Sequence, residues 1–216
     1  MGNKGLFNEK TESFVDAHYV YVSINYRLSP DVLHPSHAQD VAKAVTWIYE
    51  NISKYGGNPQ NIFLMGHSAG GHLSALIALD EHYLKDLGYS NEIIRGIISL
   101  DIAAHHLPTL FKNEPENTYL FEMAFGNQTE FWEKASPINY TEKIKSAPAF
   151  LLIYAGDGEV TKEVNTAFYD ALKNANHNAS LYFAPDKNHV SIEKELGMPR
   201  DNVFPVILKF IENNLS

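Results

Sequence analysis

Short apolar runs alternate along the chain with segments in which apolar residues recur at helical spacing, and this order predicts a parallel sheet covered by helices. Short apolar runs rich in β-branched and aromatic residues are typical of buried strands. These runs occupy residues 19–25, 61–65, 93–100, 149–154 and 181–184. Apolar residues at helical spacing lie between them, over residues 41–52, 69–79, 160–174 and 203–213. Such alternation indicates an α/β fold, mainly a parallel sheet with helices on both faces.

Residues 102–147 interrupt this rhythm, because they are rich in aromatic, proline and polar residues. We interpret them as a cap-like insertion between a strand and a helix. The length of 216 residues suits one domain, so we predict a single domain over residues 1–216 that carries this insertion.

Composition limits the possible partners. The formal net charge of −9 argues against nucleic acid and against an anionic membrane surface, since both require clusters of Lys and Arg. No window approaches the ~20 apolar residues of a membrane helix, and the first residues lack the apolar region of a signal peptide. We therefore expect a cytoplasmic protein. The absence of cysteine excludes disulfides, zinc thiolate sites and a cysteine nucleophile.

The strongest chemical signal is the motif Gly66-His67-Ser68-Ala69-Gly70, which fits G-x-S-x-G between a strand and a helix. In that context the serine lies on a tight turn above the sheet, and we expect glycine at 66 and 70 to avoid collisions with neighbouring backbone. Ser68 is the predicted nucleophile. The backbone N–H of Ala69 is a predicted oxyanion donor at the start of the helix.

A serine hydroxyl needs a base, and the base needs a carboxylate to orient it. In this motif's usual fold the acid and the histidine follow the serine in the chain. Asp157 follows the strand at 149–154, and His189 lies in the loop after the next strand. Because these side chains leave the same edge of a parallel sheet, we predict a triad of Ser68, Asp157 and His189.

Several alternatives stay open. Asp101, which ends the preceding strand, is the main alternative acid, and Glu159 and Asp186 are weaker ones. Four other histidines compete less well with His189 because of their position relative to the nucleophile or the acid. They are His67, His72, His105 and His106. A metal site is not expected, since neither HExxH nor a comparable spacing is present.

The chain resembles the esterase/lipase branch of the α/β hydrolases, especially its kynurenine formamidase-like and feruloyl/acetylxylan esterase-like members. The motifs that carry the resemblance are YRLSP at 26–30, His34-Pro35, DVAKA at 40–44, Trp47-Ile48, YGGNP at 55–59, GHSAGGH at 66–72 and NHVSI at 188–192. The resemblance implies the triad named above. It also implies hydrolysis of short carboxylic esters without a cofactor.

One departure from the family pattern concerns the oxyanion hole. Members of this family carry a His-Gly-Gly segment after the third strand, whereas this chain has Gly2-Asn3-Lys4, which resembles the residues that follow that segment. The resemblance thus implies an N-terminally truncated fold, without the strand expected between those at 19–25 and 61–65. We expect a gap at that place, low stability and self-association through the exposed sheet edges, since an unpaired edge is a template for another chain.

Three functions remain possible at this point. The first is a serine carboxylic-ester hydrolase that acts on small or short-chain esters. The second is an arylformamidase-like amide hydrolase that uses the same triad. The third is a weakly active or inactive hydrolase-fold binding protein, favoured by the missing oxyanion segment, because loss of one such donor costs roughly 10²–10³ in rate.

Overall fold

The centre of the molecule is a parallel β-sheet. In the computed structural model, which describes residues 4–5, 8–113, 115–156 and 158–216, four strands pair in the order β1-β2-β3-β4. They are β1 (Phe63–His67), β2 (Gly96–Leu100), β3 (Ala149–Ala155) and β4 (Ala179–Ala184). All three pairings are parallel. The predicted fold class is therefore confirmed for the sheet and its strand direction.

Successive side chains of the central strands belong to opposite faces of the sheet, as the pleat requires. Ile97 of β2 and Leu152 of β3 pack in one core, whereas Ile98 and Ile153 pack in the other. Both strands are thus buried on two sides, which explains why their sequences are apolar without interruption.

Helices cover both faces of the sheet. The first core contains residues of α2 (Ser36–Asn51), α3 (Ala69–Leu79), α4 (His82–Lys85) and α8 (Glu159–Asn174). The second core contains residues of α1 (Asn8–Asp16), α9 (Ser191–Lys194) and α10 (Phe204–Asn213). The helical spacing seen in the sequence is confirmed by burial, since Val41 and Val45 of α2 and Phe168 of α8 are all in the core.

The residues between β2 and β3 form a separate small cluster. Their helices are α5 (Leu107–Asn113), α6 (Thr118–Phe125) and α7 (Thr129–Lys134), with short 3₁₀ turns at Pro115–Asn117 and Pro137–Tyr140. Leu107, Leu110 and Phe111 are buried together, and the Phe111 ring stacks on Trp132 with 3.8 Å between centroids. Further 3₁₀ turns lie at Ile52–Tyr55 and Asn91–Ile93. That this segment acts as a cap stays a prediction.

The predicted first strand, residues 19–25, does not join the sheet. It runs extended without ladder hydrogen bonds, so its prediction as a strand of the sheet is wrong, whereas the gap expected between it and residues 61–65 is present as a cleft. Its side chains still behave as those of a strand, because Tyr19 and Tyr21 pack on one core and Ile24 packs on the other. The segment thus contacts both cores, but the predicted burial is wrong, since none of residues 19–25 is fully buried and Val20 and Val22 are exposed. A ladder also requires a neighbouring backbone at hydrogen-bonding distance.

A cleft of about 400 Å³ separates this extended segment from the β1 side of the sheet. Val41 and Val45 of α2 line it, and so do Ile211 of α10 and Leu64 of β1. Of the described residues that line the cleft, none is Asp, Glu, Lys or Arg. Among the described strands, β1 pairs only with β2, so its other edge faces this apolar space. Self-association through the edge stays a prediction.

We expect Val22→Lys to reduce self-association. Val22 lines the cleft and is 42% exposed, so a lysine at this position costs little in the monomer but places an unpaired charge in any strand-to-strand contact. The matched control is Val15→Lys on α1, which is 54% exposed and does not line the cleft. Sedimentation velocity over a concentration series should show a shift toward monomer for Val22→Lys alone. Identical behaviour of both variants would contradict a role for the cleft in self-association.

Three histidines are kept neutral by their surroundings. Burial, followed by the proximity of other histidines, lowers the pKa of His34 to about 4. Burial lowers the pKa of His72 to about 4, although a hydrogen bond to the Ala135 carbonyl opposes the shift. Burial also lowers the pKa of His105 to about 3. These folded-state values lie below the value of about 6.5 expected in an unfolded chain.

We expect the melting temperature to fall as the pH drops from about 6.5 toward 4. In that window the unfolded state binds protons that the folded state excludes, and each pKa unit is worth about 1.4 kcal/mol. His72→Gln should flatten part of this dependence, because an amide can still donate to the Ala135 carbonyl that His72 Nε2 reaches at 2.7 Å. The wild-type protein, measured over the same pH series, is the reference. A slope for His72→Gln equal to that of the wild-type protein would contradict the assignment.

Candidate active site

Ser68 occupies a strained turn between β1 and α3. Its backbone has φ 51° and ψ −121°, a conformation that costs on the order of 1–3 kcal/mol for a residue other than glycine. Hydrogen bonds hold it in place: the Ser68 N–H donates to the Leu100 carbonyl at 3.0 Å, and the Ser68 carbonyl accepts from Gly71 and His72 at 3.1 Å. The turn thus joins the end of the sheet to the first turn of α3.

Gly66 and Gly71 allow this turn to close, whereas the expected pair was Gly66 and Gly70. A Cβ on Gly66 would lie 2.2 Å from the Gly70 carbonyl carbon, and one on Gly71 would lie 2.1 Å from Ile102 Cδ1. A Cβ on Gly70 would meet nothing within 4 Å. The expected collision is therefore confirmed at Gly66 and wrong at Gly70, because residue 70 faces open space and residue 71 packs against the chain after β2.

The sheet register brings Asp101 next to Ser68. His67 pairs with Leu100, so Ser68 and Asp101 are the first residues beyond the ends of neighbouring strands. Asp101 also has a positive φ, 50°, and its N–H continues the ladder to the Ile153 carbonyl at 2.7 Å. Its side chain is almost completely buried.

The Asp101 carboxylate uses both oxygens. Its Oδ1 accepts from the Ala155 N–H at 2.8 Å, and its Oδ2 accepts from His189 Nδ1 at 2.7 Å. Burial by itself would raise the pKa of Asp101, but the hydrogen bonds from His189 and Ala155 and the charge of His189 outweigh burial and lower that pKa. Asp101 is therefore held as the carboxylate.

His189 lies in the loop between β4 and α9. Hydrogen bonds within this loop, and between the loop and the end of β3, hold it in place. The Gly156 N–H donates to the Lys187 carbonyl at 3.0 Å, and the Asn188 side chain accepts from the N–H groups of Val190 and Ser191 at 3.0 and 2.8 Å. The His189 side chain is 48% exposed, so a ligand in solution can reach it.

The buried ammonium group of Lys187 stabilises the same loop. Lys187 Nζ lies 2.8 Å from Glu195 and 3.4 Å from Asp201. Burial opposes its charge, but the two carboxylates raise the pKa of Lys187. A separate ion pair between Lys10 and Glu193 joins α1 to α9. These contacts therefore restrict the position of the loop that carries His189.

His67, next to the predicted nucleophile, packs against His189. Their ring centroids are 4.5 Å apart with a tilt of 44°. Burial, followed by the proximity of His189, lowers the pKa of His67. A neutral His67 adds no like charge beside His189, and its ring fills one side of the site. The sequence marked this residue only as a neighbour of Ser68.

Among the predicted site residues, the structure brings Ser68 and His189 to the same end of the sheet, with Ala69 as the first residue of α3. Asp157 lies outside the described residues. Within the part of the chain that the structure describes, the carboxylate on His189 Nδ1 belongs to Asp101. The sequence offered Asp101 as the main alternative acid because it ends a strand, but no pattern shows that this strand end adjoins His189.

The other competing residues are engaged elsewhere. His72 is buried and binds the Ala135 carbonyl, and His105 stacks on Phe168 with 4.1 Å between centroids. Glu159 lies 3.8 Å from Lys162, and Asp186 accepts from Asn202 at 2.8 Å. His106 Nδ1 lies 2.7 Å from the Thr109 hydroxyl. The described residues contain no group of three or more His, Asp or Glu side chains arranged to hold a metal ion.

The fold is that of the α/β hydrolases. An esterase from Rhizomucor miehei superposes with a TM-score of 0.77 at 20% identity, over 94% of this chain and 66% of that one. Carboxyl esterase 2 from Tuber melanosporum gives a TM-score of 0.77 at 18% identity, over 96% of this chain and 72% of that one. Across the described ranges, no helix has the length and apolar character needed to cross a membrane.

The BD-FAE family model matches residues 1–172, and the chain belongs to the BD-FAE family. Among curated relatives, esterase LipQ of Mycobacterium tuberculosis is 32% identical over 74% of this chain and 40% of its own length. Versiconal hemiacetal acetate esterase of Dothistroma septosporum is 32% identical over 51% of this chain and 32% of its own length. The chain thus spans less than half the length of these curated relatives.

We expect Gly66→Ala to destabilise the fold and Gly70→Ala to be tolerated. The new methyl group at 66 meets backbone atoms that cannot move aside, and overpacking of this kind costs typically ~1–3 kcal/mol or more. At 70 the space is open, and alanine is a better helix former than glycine. Chemical denaturation of both variants measures the difference. Equal loss at 66 and 70 would contradict the turn geometry.

Proposed function

We propose that this chain hydrolyses carboxylic esters through an acyl-enzyme on Ser68, with His189 as general base and acid. The observation that carries the proposal is the strained Ser68 at the junction of β1 and α3, at the same sheet end as the hydrogen-bonded His189–Asp101 pair. Family membership supports it, and so do the names of the relatives, which are esterases.

The proposed reaction proceeds in two halves. His189 takes the proton of the Ser68 hydroxyl while Oγ attacks the ester carbonyl, and it then gives that proton to the leaving alcohol. Water then attacks the acyl carbon and loses a proton to His189, the bond between that carbon and Ser68 Oγ breaks to release the acid, and His189 returns the proton to Oγ. A carboxylate beside His189 Nδ1 stabilises the imidazolium that forms in each half.

The negative charge that develops on the carbonyl oxygen needs hydrogen-bond donors. The N–H of Ala69 lies in the first turn of α3, where backbone N–H groups have no partner within the helix and the helix dipole favours an anion. We propose Ala69 N–H as one oxyanion donor. The position of Ser68 directly before α3 supports this assignment.

The proposed substrates are small or short-chain esters, as the resemblance to the esterase/lipase branch implies. One feature of the site suits a small substrate in solution: the His189 side chain is 48% exposed. An arylformamidase-like activity uses the same groups, and a substrate panel distinguishes the two.

We expect Ser68→Ala to lose at least 10³-fold in hydrolysis of short-chain p-nitrophenyl esters while keeping the wild-type melting temperature, because the nucleophile is gone and the fold is not. The matched control is Ser74→Ala in the same helix, whose hydroxyl donates to the Gly70 carbonyl at 2.9 Å away from the nucleophile. It should keep activity within a few-fold.

A fluorophosphonate probe tests the same assignment independently of the substrate. Mass spectrometry should locate the adduct on Ser68 in the wild-type protein and find none in Ser68→Ala. Full ester hydrolysis by Ser68→Ala would reject this serine as the nucleophile. If the wild-type protein shows no hydrolysis and no labelling, the result would favour a binding protein over an enzyme. Faster turnover of an N-formyl arylamine than of any ester would favour the formamidase.

A further inference from the structure

We propose that Asp101, at the end of β2, is the positioning residue that orients His189 for proton transfer. This inference rests on the proposed function, because it assigns the carboxylate of the same site. The acid predicted from the sequence was Asp157, which follows β3, so the assignment moves this role to the strand next to that of the nucleophile.

The geometry of Asp101 leaves its carboxylate little freedom. The Ala155 N–H binds one oxygen at 2.8 Å, and His189 Nδ1 binds the other at 2.7 Å. Because the side chain is 2% exposed, water does not compete effectively for these oxygens.

The sheet fixes the backbone that carries this carboxylate. Asp101 follows β2, which lies between β1 and β3, and its N–H donates to the Ile153 carbonyl at 2.7 Å. Ser68 is held to the same strand end through the Leu100 carbonyl at 3.0 Å. The nucleophile and the carboxylate are thus attached to adjacent residues of one strand end, which fixes their relative position more firmly than two separate loops would.

The hydrogen bond to Asp101 determines which nitrogen of the His189 ring carries the proton. An ionised Asp101 has no proton to donate, so His189 must carry its proton on Nδ1 to make this hydrogen bond. Nε2 then bears the lone pair that takes the Ser68 proton: the Oγ–H bond breaks and an Nε2–H bond forms. The Asp101 charge stabilises the resulting imidazolium without itself becoming protonated.

Asp101→Asn tests the proposal because it changes charge and tautomer with little change in size. The amide oxygen of asparagine can still accept from the Ala155 N–H, but its NH₂ group would face Nδ1 and favour the proton on Nε2, the wrong tautomer for a base. We expect kcat to fall by roughly 10²–10⁴ with KM within a few-fold of wild type, since loss of the correct tautomer in a comparable triad costs about 10⁴.

Asp186→Asn is the matched control, because Asp186 lies in the same loop as His189 but bonds Asn202 instead. It should keep activity within a few-fold. A decrease of tenfold or more in kcat for a folded Asp101→Asn protein supports the proposal. A decrease of less than tenfold overturns it, and Ser68→Ala in the same assay shows separately whether the proposed function holds.

A second measurement leaves Asp101 intact and does not depend on turnover. Nitrogen-15 NMR of Asp157→Asn reports the His189 tautomer directly. A hydrogen-bonded proton on Nδ1 of His189 in that variant supports Asp101 as its partner. Loss of that proton, with the proton shifted to Nε2, would assign the orienting role to Asp157 and overturn the proposal even if Asp101→Asn does not fold.

Discussion

The hydrogen-bond register at the carboxyl end of the sheet is the constraint on which the site depends. The pairing of His67 with Leu100, and of Leu100 with Ile153, ends neighbouring strands at one level. Parallel strands send all their connections out at that edge. A slip of one residue between β1 and β2 would turn every β1 side chain to the opposite face and move Ser68 away from Asp101.

The same edge concentrates unfavourable backbone geometry. Ser68 and Asp101 both have positive φ, 51° and 50°, although neither is glycine. Such residues persist only where their surroundings over-determine them. Here the ladder continues past both strands, through the Leu100 and Ile153 carbonyls, so the buried sheet core offsets the local cost. The two strained residues are therefore the serine and the carboxylate of the candidate site, side by side at neighbouring strand ends.

The sequence predicted the local features better than the non-local ones. The apolar periods located the elements of the sheet, and the context of Ser68 identified the strained turn. Three details depend on packing between distant segments and could not be read from a pattern. Residues 19–25 have the composition of a strand but no ladder partner, Gly71 rather than Gly70 meets a neighbour, and Asp101 reaches His189 across 88 positions of the chain. The order of serine, acid and histidine along the chain fits Asp101 and Asp157 alike, because chain order carries no information on which strand ends adjoin.

The apolar cleft and the candidate site are connected through β1. Every residue of β1 is only partly buried, whereas every residue of β2 is buried, because β1 has the cleft on its other side. The strand that presents Ser68 therefore depends on β2 for its described ladder pairing. Edge strands with fewer packing contacts open more readily than central ones. Opening of β1 would release the Ser68 turn before it disturbed the Asp101–His189 pair, which is attached to β2 and β4. Any backbone that filled the cleft and paired with β1 would consequently hold the Ser68 turn more firmly without touching it.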